Sequence, residues 1–160
     1  MQYQQLRFIF KAEKKKIMDS LAYYGIKEIP YLLIESGKEK IRGYSGNLLM
    51  KELTDLNQEI GVELAGMYLF HNYGDNIRLS FDAIYALKDQ ITENIIELND
   101  EQAIEFLKGR DLMLSKEEQE KLKDETFGFK IAKHKDEFLG TCKLIEGRII
   151  NYMPKERRLR

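Results

Sequence analysis

Three strand-like runs crowd the carboxyl end: TFGFKIAKH at 126–134, EFLGTCKLI at 137–145 and RIINYM at 148–153. The links between them, His134 to Glu137 and Glu146-Gly147, are too short for anything but antiparallel neighbours, because a parallel return needs a dozen or more residues. Glycines at 128, 140 and 147 supply the sharp bends that a small closed sheet requires. Just upstream, NIIEL at 94–98 reads as a strand, and Asn99 with Gln102 has the form of a capping box opening a helix around Ile104, Phe106 and Leu107. Gly109 ends that helix; Ser115 with Glu118 repeats the helix-start chemistry for a second one at 116–123. Residues 91–160 are therefore expected to form a small β-barrel with two short helices.

Residues 1–90 have a different texture. Ile17, Leu21 and Tyr24 recur at helical spacing within 12–24, and Gly25 follows as a stop. YLLIE and EKIRGY flank Ser36, Gly37 and Lys38 as a hairpin. Ser45 is placed to cap a helix over 46–57 with a Leu48, Leu49, Leu53, Leu56 stripe. MYLFHN and NIRLSF then bracket Tyr73, Gly74 and Asp75 as a second hairpin, running into a helix from Asp82 to Leu87. This order suits an α+β domain whose helices cover one face of an antiparallel sheet. With no Pro/Ser/Gly linker near residue 90, the two parts are expected to pack rigidly. Tyr23, Tyr24, Tyr31 and Tyr44 read as packing, or as anchors of a protein interface.

Composition excludes several classes. At 43% hydrophobic and a formal charge of −1, the chain is too apolar and too nearly neutral to be disordered. Its runs fall short of a membrane span, and the basic cluster of MQYQQLRFIFKAEKKK follows the apolar stretch, unlike a signal peptide, so a cytoplasmic protein is expected. One cysteine, Cys142, and two histidines, His71 and His134, make neither a disulfide nor a zinc set. Charge is polarised along the chain: residues 1–92 sum to 0, 93–125 to −6 and 126–160 to +5. A basic carboxyl end on alternating strands collects a positive field suited to polyanions.

The run NIIELNDEQAIEFLKGRDL, followed by GFKIAKHKDEFLGTCKLIEGRIINYMPKERR, resembles a PUA domain. More narrowly, it is similar to the PUA-like module at the carboxyl end of RsmF-type and NOL1/NOP2/Sun RNA cytosine methyltransferases. FLKGRDL, FLG before GTCKL, and the Asn-x-x-Pro-Lys-x-x-Arg pattern of EGRIINYMPKERR carry that resemblance. The first part, through KIRGYSGNLLMKELTDL and GMYLFHNYGDNIRLSFDAIYAL, is similar to the amino-terminal domain of Nip7-like ribosome-biogenesis proteins, which also place a PUA domain second. The resemblance implies a pre-PUA-like domain followed by a PUA-like domain that meets RNA at the helix end and its neighbouring loops.

The residues able to do so are Lys130 and Lys133 on one expected strand, Lys143 on the next, Arg148 on the third, then Lys155, Arg157 and Arg158, with Lys108 and Arg110 bracketing Gly109. Asn151 is the expected hydrogen-bonding residue, and Phe138 or Tyr152 the stacking surface. Each has a plainer reading: solubilising lysines, barrel-core aromatics, and an Asn151-Pro154 pair shaping the chain's exit. Arg7, Lys11, Lys14, Lys15 and Lys16 read as a solvated helix face. Neutralising about four phosphates of single-stranded RNA gives a log–log salt slope of about −3, or an affinity loss on the order of fifty-fold between about 50 and 200 mM salt.

Enzyme readings are weaker. Thr141-Cys142 invites comparison with the methyltransferase nucleophile, but nothing nearby in sequence lowers its thiol pKa, and neither phosphate-cradling nor dinucleotide-binding glycine motifs occur. The expectation is a non-catalytic RNA-binding protein of ribosome biogenesis or of rRNA or tRNA modification, with no metal or cofactor. Its partners would be RNA and pre-ribosomal proteins or an RNA methyltransferase. The alternatives are an interaction subunit lending an RNA-binding module to a separate methyltransferase, and an enzyme working in the cleft between domains.

Overall fold

The computed structural model describes residues 5–160. Residues 1–4, the start of the expected first domain, lie outside them. Two five-stranded sheets account for the described strands. The first is an antiparallel meander of β1 (Arg7–Phe8), β2 (Leu32–Glu35), β3 (Lys40–Tyr44), β4 (Met67–Asn72) and β5 (Ile77–Leu79), in chain order. Helices α1 (Lys11–Leu21), α2 (Met50–Ile60) and α3 (Phe81–Leu87) are interleaved with them.

These helices do not share a face. Leu33 and Ile34 are successive residues of β2 and both are buried, which in a pleated strand means that both faces are covered. Leu33 joins Ile17 and Leu21 of α1 and Ile84 of α3, whereas Ile34 packs with Leu53 of α2. The one-faced expectation fails because single-sided burial was read into a strand whose apolar run, LLI, has no alternation. The α2 boundaries also move. The Glu52 carboxylate accepts from Leu49 N–H at 2.6 Å and so sets the helix start, while Leu48 N–H donates to the Tyr44 hydroxyl at 3.2 Å. With that start, Leu53 alone of the expected leucine stripe is buried, and Leu49 is 70% exposed.

The second sheet is ordered β6-β8-β9-β10-β7. Its strands are β6 (Ile95–Glu97), β7 (Leu112–Met113), β8 (Lys130–His134), β9 (Glu137–Ile145) and β10 (Arg148–Asn151), with α4 (Asp100–Leu107) and α5 (Lys116–Lys121) in the crossover between β6 and β8. That crossover makes β6 and β8 parallel while the other pairs are antiparallel. The β9–β10 link is the expected two-residue turn, with both Glu146 and Gly147 at positive φ, 47° and 74°. The Asn99–Gln102 capping box opens α4 as expected.

Backbone pairing does not close this sheet into a barrel: among the described residues β6 and β7 are unjoined edges. Helix α4 fills the gap instead. Its Ala103 and Phe106 share one buried cluster with Ile96 from one edge, Leu112 from the other, and Cys142 and Ile149 between them. The two sheets are fused by side chains from both. Phe129 and Ile131 enter the core built by α1 and α3, and the Thr141 hydroxyl donates to the Leu79 carbonyl at 2.8 Å. Tyr24 is fully buried in that core with its hydroxyl donating to the Ile77 carbonyl, and burial pushes its phenol far above the usual range. No helix among the described residues is long and apolar enough to cross a membrane.

Candidate nucleic-acid interface

Register decides which cations share a surface. Lys130 stands opposite Cys142, one step from Lys143, so the two lysines leave the sheet on opposite faces. Lys143 pairs with Ile150, which puts Lys143, Arg148 and Tyr152 on one face of β9 and β10. None of Lys143, Arg148 and Lys155 has a carboxylate partner among the described residues.

Lys130 does not belong to a surface patch. Its side chain is 3% exposed, and its ammonium donates to Asn94 Oδ1 at 2.7 Å and to Glu125 Oε2 at 2.9 Å beneath the Tyr23 ring. Burial works against its charge, yet hydrogen bonding to the Tyr23 phenol and Glu125 more than offsets this and its pKa is raised. Lys130 is a tie between the two parts of the chain, since Asn94 also donates to the Tyr23 carbonyl.

The expected helix-end site is largely self-satisfied. Lys108 and Arg110 both pair with Glu105, whose carboxyl is held below its usual range first by the Arg110 hydrogen bond and then by that of Lys108. Asn151 Nδ2 donates to the Phe106 carbonyl at 2.7 Å and to that of Arg110 at 3.1 Å, while its Oδ1 accepts from Met153 N–H at 2.7 Å. Those contacts give the Phe106 carbonyl a second donor beside Gly109 N–H and tie down the carbonyl of Arg110, so the plainer reading of Asn151 is the structural one. Arg158 donates twice to the Met153 carbonyl, at 3.2 and 3.1 Å. Its side chain lies against Gly109, where a Cβ would sit 2.2 Å from Nε and where φ is +80°. Only glycine meets both demands. Arg157 reaches Asp82 at 3.0 Å and lies over Phe81, and Lys133 faces Glu97 at 3.5 Å. Phe138 lies under Lys133 and packs on the shared core.

A second group of cations and rings lies where the sheets meet, and part of it comes from residues that sequence reasoning passed over. Arg78 stands directly across from His71 on β4 and β5. Its guanidinium lies 5.7 Å from the Tyr73 ring, 6.0 Å from Phe129 and 5.1 Å from Tyr152. Lys143 approaches Phe129 from the second sheet at 5.2 Å. The rings touch in sequence: His71 to Tyr73 at 4.2 Å, Tyr73 to Phe129 at 5.7 Å, Phe129 to Tyr152 at 5.3 Å. Tyr73 is 45% exposed. Beside Arg78, a cleft of about 260 Å³ runs between the sheets past Phe81, Gly140, Tyr152 and Pro154 to Arg157. The signal for Arg78 was present in NIRLSF, since alternation sends it away from the buried Ile77 and Leu79. Its aromatic neighbours Phe129 and Tyr152 lie more than fifty residues further along the chain, beyond the reach of any local pattern.

Cys142 offers no nucleophile in this setting. It is buried in the second core and burial pushes its thiol up to about 12, leaving it protonated at neutral pH. Among the described residues no group of His, Cys, Asp or Glu side chains is placed to hold a metal ion.

A five-stranded sheet wrapped on one helix, entered through a parallel strand and carrying cations on its β9–β10 face, is the setting in which the family comparison falls. Residues 93–159 match the family model of the methyltransferase RsmF PUA domain, and this carboxyl part of the chain is accordingly a PUA domain. In particular, its carboxyl part resembles the carboxyl-terminal module of RsmF. The ribosomal RNA small subunit methyltransferase F of Shewanella woodyi (strain ATCC 51908 / MS32) is 31% identical over 110 residues, which is 69% of this chain and 23% of that protein. The chain thus spans about a quarter of the length of this curated relative.

Proposed function

We propose that this chain is a non-catalytic RNA-binding protein acting in ribosomal RNA modification or ribosome assembly. Its substrate-facing surface would be the β9–β10 face, Lys143, Arg148 and Tyr152, extended by Lys155 and by Arg78. The observation that carries this reading is a PUA domain whose β9–β10 face holds cations without carboxylate partners. Such groups are available to neutralise phosphates, whereas those already paired within the protein are not. About four available cations, Lys143, Arg148, Lys155 and Arg78, give a slope of about −3 on single-stranded RNA.

A salt series tests it. Fluorescence anisotropy of the full chain with a labelled ribosomal RNA fragment is expected to show affinity falling on the order of fifty-fold from about 50 to 200 mM salt. Absence of binding in the dilute buffer contradicts the proposal. A second reading, an interaction subunit that supplies an RNA-binding module to a separate methyltransferase, is motivated by the likeness of residues 93–159 to a methyltransferase's PUA domain. Co-purification with a stoichiometric methyltransferase distinguishes it from a free-standing factor.

A further inference from the structure

We propose that the junction of the two sheets is a binding site for unpaired nucleotides of RNA, formed jointly by Tyr73 and Arg78 of the first part and Tyr152 and Lys143 of the second. The inference rests on the RNA-binding reading above and names what that surface selects.

Arg78 itself is the starting point. Three arginines are half-buried among the described residues: Arg42, Arg78 and Arg158. Arg42 donates to the Gly66 carbonyl at 2.8 Å and Arg158 to the Met153 carbonyl, as expected of arginines that serve the fold. Arg78 has no acceptor within the protein among the described residues; three rings are its neighbours instead. Its nitrogens are not sealed from water, because Arg42 Nε is the sole buried side-chain nitrogen or oxygen left without a partner among the described residues. The guanidinium is therefore held among aromatic rings while its N–H groups stay open for an acceptor.

That is the arrangement a phosphate or a base edge requires, and the neighbouring groups complete it. Tyr73, exposed at the tip of the β4–β5 hairpin, presents a ring face beside the guanidinium. Lys143 adds a second cation against the same Phe129 ring, from the other sheet and without a carboxylate partner among the described residues. Of the acids near the row, Glu39 is engaged with His71 at 3.2 Å and Asp82 with Arg157 at 3.0 Å, while Glu156 also lines the cleft beside Arg78. Stacking on rings and guanidinium planes selects single strands, since a duplex hides its base faces and offers chiefly phosphates and ribose hydroxyls.

The test uses the full chain, an unstructured oligouridine and a blunt RNA duplex of equal length, with affinities measured across a salt series. The intact chain is expected to prefer the single strand. Tyr73→Leu should weaken single-strand binding about tenfold without changing the salt slope, because it removes stacking and no charge. Arg78→Gln should weaken it comparably and flatten the slope by about 0.7. Both should leave duplex binding within about twofold, and Tyr73→Phe should retain the preference because it keeps the ring. Unchanged unfolding midpoints confirm that the variants fold, as expected for side chains outside the buried core. Equal affinity for both RNAs, or variants without effect while Arg148→Ala with Lys155→Ala weakens both, overturns the junction site and leaves the RNA-binding proposal standing. No binding of either RNA by the intact chain overturns both.

Discussion

Two clusters of basic side chains sit at opposite sides of the same small sheet, and they differ in what holds them. Around the end of α4, Lys108 and Arg110 share Glu105, Arg158 is clamped on Gly109 and the Met153 carbonyl, and Asn151 spends its amide on Phe106 and Arg110. At the junction, Arg78 and Lys143 rest on rings and have no protein acceptor among the described residues. Positive charge counted along a sequence is therefore a poor guide to positive charge available to a partner. The first cluster stabilises the protein; the second is the one proposed to meet RNA.

The most disruptive way to probe this contrast is Asn151→Ala. Losing bonds to two carbonyls and one N–H at the end of α4 should lower stability by about 2–3 kcal/mol in urea unfolding, while RNA affinity measured well below the transition is retained. Next in size, replacing Arg78, Lys143 and Arg148 together should flatten the salt slope by about 2 and leave stability within about 0.5 kcal/mol of the parent. By contrast, Lys108→Ala with Arg110→Ala should alter RNA affinity less than about twofold, since the Glu105 carboxylate engages both side chains within the protein. The same pair gives a pH signature. The Glu105 carboxyl is lowered in the folded state, so its contribution is present above the unfolded value of about 4.3 and lost as pH falls through the folded one. In urea midpoints taken from neutral to acid pH, the double variant should lose less than the parent over that window. Finally, Cys142 in the native protein should be silent to a thiol reagent at neutral pH and should react only on unfolding, which absorbance reports directly.

Much of the carboxyl part was legible because its punctuation is local. Asn99 with Gln102 and Ser115 with Glu118 cap helices wherever they occur before an amphipathic run, and Glu146-Gly147 specifies a two-residue turn by its own backbone preference. What sequence could not supply were the non-local facts. The parallel pairing of β6 with β8 depends on a crossover, and the short strands β1 and β7 exist only because β2 and β10 offer them an edge. Closure was inferred from glycines, yet β6 and β7 do not pair, and α4 packs in one core with residues of both.

The site was harder still. Lys130 and Lys143 look equivalent in sequence, but a one-step difference in register sends one into the interior and the other to the surface. Arg78 gains its significance from Phe129 and Tyr152, more than fifty residues away, which no window of sequence brings together. Asn151 and Arg158 fit the resemblance to the PUA-like modules, but their hydrogen bonds are made within the chain.

The decisive measurement is ultraviolet crosslinking of the intact chain to unstructured RNA, with the modified peptides located by mass spectrometry. Adducts on the peptides that carry Tyr73 and Tyr152 are the predicted result. Adducts confined to the segment around Lys108, Gly109 and Arg110 would place the RNA on the cluster that the fold has already consumed, and would contradict the account.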